Sequence, residues 1–310
     1  MFVGDRRWLQ PGWPVSGPWT YWLYIEYLTL WDERVVLFTV SGVVHILPEG
    51  QPVCGVTSLG GEIYLLRLQA CNQVEVYDAT SYCLQRCVTL PNFVGYNDII
   101  SCEYYQCVYV SDHCVNCVYR LQANNTTCWS VQITPTGISV NTSHNVLVTY
   151  GCVSRIREFT THGEILREFQ LHNTVIHPWY AMQTNNGQFL ACHGLSNDPL
   201  NRVCILSGDG RSVVRSHGGP PSSSTGRYNQ PLRLAVDTND SVFVLDMMNE
   251  RVTLLSPTLE YVREVVSPNQ LKWRPSRFYL HRQQRRLYVA DNQWNQMGIW
   301  TAGRVVVFSI

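Results

Sequence analysis

The amino-acid sequence predicts an all-β fold, a six-bladed β-propeller made of four-stranded antiparallel blades. Three observations favour it: a short apolar strand recurs six times, each copy has similar neighbouring strands, and each end of the chain holds part of one blade. Repeats of about 40–50 residues are typical of propeller blades. The 310 residues are 45% hydrophobic and only 15% charged, a composition that suits a compact sheet protein.

The recurring strand is the clearest element of the pattern. Its six copies lie at 62–66, 107–110, 145–148, 188–191, 241–245 and 286–290. Equivalent positions in successive copies are 45, 38, 43, 53 and 45 residues apart. The one long interval contains the Gly- and Ser-rich stretch 218–226, which is typical of a flexible linker between two blades.

Each copy is flanked by further short strands that complete a blade. A strand and a polar turn precede it, as at 137–140 and 232–236. A third strand and a fourth follow it, at 74–77 and 84–88, 156–159 and 165–169, and 251–255 and 261–265. Strands of this length bounded by Gly, Asn, Asp, Ser and Pro are typical of antiparallel meanders.

The two ends of the chain predict how the ring closes. Residues 304–308 match a third strand with no fourth after it, whereas 42–46 match a fourth strand. A shared last blade leaves no open sheet edge, so we expect 42–46 to complete it. The strand-like segment 34–38 is then surplus, and a seventh, irregular blade is the alternative. The predicted domains are an irregular extension, 1–29, and the propeller, 30–310.

Two segments near the C-terminus resemble NHL repeats. The first is 231–252, in which Asp246, Asn249 and Arg251 follow the strand 242–245; the second begins at Pro275, and a fainter copy lies at 108–112. From the spacing, we expect Asp246 to bond backbone amides in its turn and to pair with Arg251, and Asn249 to adopt a left-handed conformation. The resemblance implies a platform for protein or RNA.

Charge is unevenly distributed along the chain. Residues 1–199 carry 9 basic and 15 acidic side chains, and residues 200–310 carry 14 basic and 8 acidic. On the rim made by the loops between blades and between second and third strands, the last two blades are predicted to present basic, aromatic and thioether side chains. The candidate partner-binding residues are Arg227, Tyr228, Met247, Lys272, Trp273, Arg274 and Trp294.

This candidate rim has two functional interpretations and one structural one. Trp, Tyr and Arg dominate protein-binding hot spots, and positive charge beside aromatic rings also suits stacking on single-stranded RNA. Alternatively, the tryptophans pack between blades. We predict a non-catalytic scaffold that binds a protein partner through the rim, with RNA binding as the alternative.

The sequence offers little catalytic or metal-binding chemistry. It lacks a Gly-x-Ser-x-Gly or His-Glu-x-x-His motif, and no catalytic residue, metal site or cofactor is predicted. A calcium-dependent lactonase or lyase using Asp112, Asp246 and Asp291 is a second alternative, although these aspartates also fit turn caps. The cysteines 102, 107, 114 and 117 are expected to form two pairs at opposite ends of one strand, too far apart for one zinc ion.

The expected setting is the cytoplasm. No apolar run reaches the ~18 residues of a membrane helix, and the first residues do not match a signal peptide. A monomer is expected.

Overall fold

The structure, a computed structural model, describes residues 42–68, 73–95, 98–123 and 125–310. These residues form six four-stranded antiparallel sheets arranged as the blades of a ring. The predicted six-bladed, all-β propeller is therefore confirmed. The expected extension, 1–29, its boundary with the propeller and the strand-like segment 34–38 lie outside the described residues.

The described strands follow one another in chain order with few irregular segments. They are β1 (Gly42–Gly50), β2 (Val53–Leu59), β3 (Glu62–Arg67), β4 (Gln73–Asp78), β5 (Leu84–Thr89), β6 (Asp98–Cys102), β7 (Cys107–Asp112), β8 (Cys117–Gln122), β9 (Asn125–Ser130), β10 (Gly137–Val140), β11 (Val146–Tyr150), β12 (Arg155–Phe159), β13 (Ile165–Gln170), β14 (Pro178–Gln183), β15 (Phe189–His193), β16 (Asn201–Leu206), β17 (Val213–Gly219), β18 (Pro231–Val236), β19 (Val242–Asp246), β20 (Arg251–Leu255), β21 (Tyr261–Val266), β22 (Arg274–His281), β23 (Arg286–Trp294) and β24 (Trp300–Ser309). No helix in the described part of the chain is long or apolar enough to span a bilayer.

Each blade is a meander that starts at the centre of the ring. The innermost strands are β2, β6, β10, β14, β18 and β22, which contact one another in sequence around the axis. The core lies between adjacent blades, as in the cluster that packs Phe243 of one blade against Phe278 and Phe308 of the next. Apolar side chains from facing sheets thus bury each other, which is the main stabilising term of the fold.

The ring closes through the last blade, as predicted. β1 pairs antiparallel with β24, with Gly42 opposite Ser309 and Leu47 opposite Val305. The closing strand is longer than the predicted 42–46, because the pairing continues to Gly50. Leu47 is fully buried, so this strand contributes to the core as well as covering the edge of β24. The seven-bladed alternative is wrong for the described residues.

Candidate functional site

The two faces of the ring differ in the loops they carry. We call the face with the connections between blades, and with the turns from second to third strands, the linker face; the turns from first to second strands form the turn face. On the linker face the last two blades carry the linkers 220–230 and 267–273 and the turns 247–250 and 295–299. Most of the predicted partner-binding residues lie on these four segments.

A buried aspartate fixes the linker that carries Trp273. Oδ2 of Asp291, at the linker-face side of β23, accepts hydrogen bonds from the backbone N–H groups of Lys272 and Trp273, at 2.8 and 3.2 Å. Oδ1 accepts from Nε of Arg304 at 3.0 Å. The carboxylate therefore ties two strands of the last blade to the linker that enters it.

The preceding blade repeats this arrangement. Asp246 accepts from the backbone N–H of Asn229 at 2.8 Å and from Nε of Arg251 at 3.0 Å, so the predicted pair forms. The expected bonds to its own turn are replaced by this bond to the linker, and Glu250 rather than Asn249 is left-handed, with φ of 56°. Burial raises the pKa of Asp246 to about 6, opposed by its hydrogen bonds and by Arg251.

Aromatic rings and basic groups stack together beside this linker. Nζ of Lys272 lies 4.3 Å from the ring centroid of Trp273, and the guanidinium of Arg274 lies 5.5 Å from that of Trp294. The Trp294 and Trp300 rings meet edge to face at 5.6 Å. Such contacts order side chains that are otherwise flexible. We call these five residues the aromatic patch.

The hairpin next to the aromatic patch is longer than its counterpart in the preceding blade. β23 and β24 have 9 and 10 residues, against 5 each in β19 and β20. At its end Met297 is 79% exposed, Ile299 49% and Trp294 36%. Residues 292–303 carry no charge. The hairpin tip, which we define as residues 294–300, thus presents apolar side chains to solvent.

Hydrogen bonds hold this tip in one conformation. The side-chain oxygen of Asn295 accepts from the backbone N–H groups of Met297 and Ile299, each at 2.9 Å. The backbone N–H of Asn295 donates to the carbonyl of Ile299, also at 2.9 Å. Trp300, at the other end, packs against the core between the first two complete blades. The apolar tip is therefore preorganised.

The basic groups of the patch already have acidic neighbours. Nζ of Lys272 lies 2.7 Å from Oε1 of Glu49, and Nε of Arg274 lies 3.6 Å from Oε1 of Glu250. These carboxylates therefore offset much of the positive charge predicted for this face from the sequence.

Two of the predicted partner-binding residues are buried, so their assignment is corrected. Tyr228 is 0% exposed and lies in the core between two blades. Met247 is 6% exposed, because the short turn that follows Asp246 directs it into the core with Phe243. Arg227 is exposed, and its Nη1 donates at 2.8 Å to the carbonyl of Gly218, in the preceding strand β17. The remaining four residues form the aromatic patch together with Trp300.

Sequence reasoning missed the hairpin tip. Met297 and Ile299 were not among the candidates because no strand or charge pattern singles them out. The available signal was the uncharged stretch 292–303. Met297 and Ile299 are unusual at an uncharged turn between two strands, because turn positions normally carry polar residues.

The cysteine pairs occupy opposite ends of β7. Cys102 lies opposite Cys107 at the turn face, and Cys117 lies opposite Asp112 at the other end. Within the described ranges there is no group of three His, Cys, Asp or Glu side chains that could hold a metal ion. The three recurrent aspartates Asp112, Asp246 and Asp291 each accept hydrogen bonds from the backbone of a linker, and Asp112 also caps its own turn.

Several solved structures are similar to this fold. A catalytically inactive histidine-to-alanine variant of virginiamycin B lyase from Staphylococcus aureus, with quinupristin, has a TM-score of 0.59 at 13% identity, covering 84% of this chain and 95% of that chain. A streptogramin B lyase structure has a TM-score of 0.58 at 13% sequence identity, covering 84% of this chain and 83% of that chain. The structure of YCF48 bound to D1 peptide has a TM-score of 0.53 at 10% sequence identity, covering 83% of this chain and 76% of that chain. No protein-family model and no curated protein matches the sequence.

These comparisons correct one prediction and limit another. The prediction that the chain is not an enzyme is contradicted, because the structures similar to it include an enzyme, virginiamycin B lyase. At 13% identity the likeness shows the fold alone, and that activity is not assigned to this chain. The neighbours support the propeller, whereas membership of the NHL family stays a prediction.

Proposed function

We propose that the chain binds a protein partner on its linker face, through the aromatic patch and the hairpin tip. The observation that carries the proposal is the preorganised, uncharged tip, which exposes Met297, Ile299 and Trp294 beside Trp273. Because hydrogen bonds already order the backbone of the tip, and because Trp294 and Ile299 have few rotatable side-chain bonds, this surface loses little conformational entropy on binding.

The strand next to the tip suggests the form of the partner segment. The pairing of β1 with β24 ends at Gly50 and Gly303. Beyond that pair, residues 300–302 have no outer partner strand among the described residues. An exposed strand edge offers backbone N–H and C=O groups to an added strand. An extended, predominantly apolar segment could form backbone hydrogen bonds with this strand edge and pack its side chains against the tip.

Charge favours protein over RNA as the occupant. Nucleic-acid affinity depends on basic groups that replace counterions on phosphates. Lys272 and Arg274 lie beside Glu49 and Glu250, and Arg304 bonds Asp291. A phosphate backbone would meet these carboxylates as well as the basic groups. A propeller of this fold, YCF48, has been solved bound to a peptide, which is consistent with a peptide on this chain.

A capture experiment with matched variants tests the proposal. The double variant Met297→Asp/Ile299→Asp should lose the partner captured from cells that make the protein, because two charges would be buried in an apolar contact. The control Val214→Asp/Ile165→Asp changes two exposed apolar residues of other blades and should retain it. Binding should persist at about 1 M NaCl, where the Debye length is about 3 Å. Equal capture by both variants, or loss on ribonuclease treatment, contradicts the proposal.

A further inference from the structure

The central channel contains a buried cluster of charged side chains. Nη1 of Arg233 bonds Oδ2 of Asp98, and Nε of Arg277 lies 4.0 Å from Oδ1 of the same carboxylate. The guanidinium of Arg233 also lies 4.2 Å from the ring centroid of Tyr180. Arg233 and Asp98 are both buried. Positive charge is therefore held at the axis, in surroundings where charge interactions are strong.

This cluster adjoins a cavity that opens on the turn face, opposite the aromatic patch. The cavity has a volume of about 470 Å³, within the range of small-molecule sites. Its walls include Met182, Val236 and Leu280 from three inner strands. Among the cavity-lining residues of its blade, Arg233 is the farthest from the turn, so it forms part of the floor. Arg282 lies in a turn at the mouth. The cavity thus combines apolar walls with a guanidinium at each end.

The mouth also carries an aromatic platform. The rings of Tyr104 and His144, from the turns of two adjacent blades, stack with centroids 4.1 Å apart and planes 3° from parallel. Both residues line the cavity. A flat apolar group entering the mouth would find this platform beside it, and such stacking is favourable.

We propose that this cavity binds a small organic monoanion, a carboxylate on a flat apolar body. The carboxylate would point into the cavity towards Arg233, with Arg282 adding positive charge at the mouth, and the apolar body would contact the walls and the platform. A guanidinium recognises a carboxylate with charge-assisted hydrogen bonds. A dianion such as phosphate suits the site less well, because Glu103 also lines the mouth and Asp98 lies beneath Arg233. The site is separate from the partner surface and independent of the proposed function.

The probe for this site is 2-naphthoate, with 2-naphthamide as its neutral counterpart and inorganic phosphate as the competing anion. Isothermal titration calorimetry on the full chain should show naphthoate binding with a Kd below about 1 mM. Naphthamide should bind about tenfold more weakly, since it lacks the charge-assisted bonds. Phosphate should not displace naphthoate at equal concentration.

Two variants locate the binding. Arg282→Glu should weaken naphthoate about tenfold or more, because it reverses a charge at the mouth. Val140→Trp, at a half-buried position in the cavity wall, should abolish binding by filling the space. Arg285→Glu is the matched control: it lies in the same turn but does not line the cavity, and it should leave the Kd within about twofold, the change expected where no direct contact is removed.

The opposite results overturn the proposal. These are no naphthoate binding tighter than about 1 mM, equal affinity for naphthamide, displacement by phosphate, or unchanged binding in folded Val140→Trp and Arg282→Glu. Thermal unfolding of each variant establishes that it is folded. Because Arg233 and Asp98 are left intact, the buried pair is not disturbed. Failure here would not affect the partner surface, whose test uses variants on the other face.

Discussion

Asp246 and Arg251 form an ion pair in which Nε lies 3.0 Å from Oδ2, with both side chains buried. The same carboxylate accepts from the backbone of Asn229, so one side chain joins a linker to the third strand of its blade. Asp291 and Arg304 repeat the arrangement one blade later. Asp112, also buried, accepts from the backbone N–H groups of Val94 and Gly95 in the same way, so three buried carboxylates hold linkers on this face.

The first prediction concerns this pair. Asp246→Ala should lower the free energy of unfolding by about 3–5 kcal/mol, because Arg251 would keep a buried charge without its partner. Adding Arg251→Met should restore part of the loss by removing that charge. Urea unfolding of the two single variants and the double variant measures the coupling. Asp209→Ala, at an exposed turn, is the control; strictly additive effects of Asp246→Ala and Arg251→Met would contradict the prediction.

The second prediction concerns ring closure. Leu47→Ala should lower the free energy of unfolding by about 2–5 kcal/mol, because it leaves a cavity in the buried contact between β1 and β24. Ile46→Ala is the control on the same strand: its side chain is exposed, and it should cost less than about 1 kcal/mol. Chemical unfolding compares the two. If they destabilise the protein equally, β1 does not close the ring as described.

The third prediction concerns pH. Burial, assisted by the guanidinium of Arg202, lowers the pKa of His193 to about 4, below its usual value of 6.5. Between these two values the unfolded chain binds a proton that the folded chain does not. The contribution of neutral His193 to the free energy of unfolding is therefore fully present above pH 6.5 and is lost as the pH falls towards 4.

At pH 4.5 the loss from His193 should reach roughly 2–3 kcal/mol relative to pH 7.5. His193→Leu removes the titrating group from this buried site, so its stability should fall less between these two pH values. Urea unfolding at both pH values measures the difference. His162→Leu, at an exposed histidine, is the control and should retain the full pH dependence. An identical pH dependence in His193→Leu and the unaltered protein would refute the assignment.

Local sequence patterns predicted the blades well. The recurrence through Val108, Phe189 and Val242 reports a strand that is buried on both faces, and such strands are necessarily apolar. The open third strand at 304–308 and the unpaired 42–46 predicted the closing pair, since a sheet edge is costly to leave exposed. The spacing of Asp246 and Arg251 also predicted their ion pair, because residues flanking a tight turn are held close together.

The site was harder to predict because its residues are brought together by the ring. Turns lack a periodic pattern, so the sequence did not show that Met247 points inward or that Met297 points outward. Tyr228 resembled a surface aromatic, yet its linker runs over the core. In the channel, Asp98 and Arg233 are 135 positions apart, and only closure of the propeller makes them neighbours.

Site-specific photo-crosslinking can show directly whether a protein partner contacts the hairpin tip. A photoreactive amino acid placed at position 297, and in a separate variant at exposed position 214, can be activated in cells that make the protein. If the hairpin tip binds a partner, position 297 should give a crosslinked protein, mapped by mass spectrometry to an extended apolar segment, and position 214 should give none. Crosslinking to RNA, or the same products from both positions, would contradict a partner-binding surface at the hairpin tip.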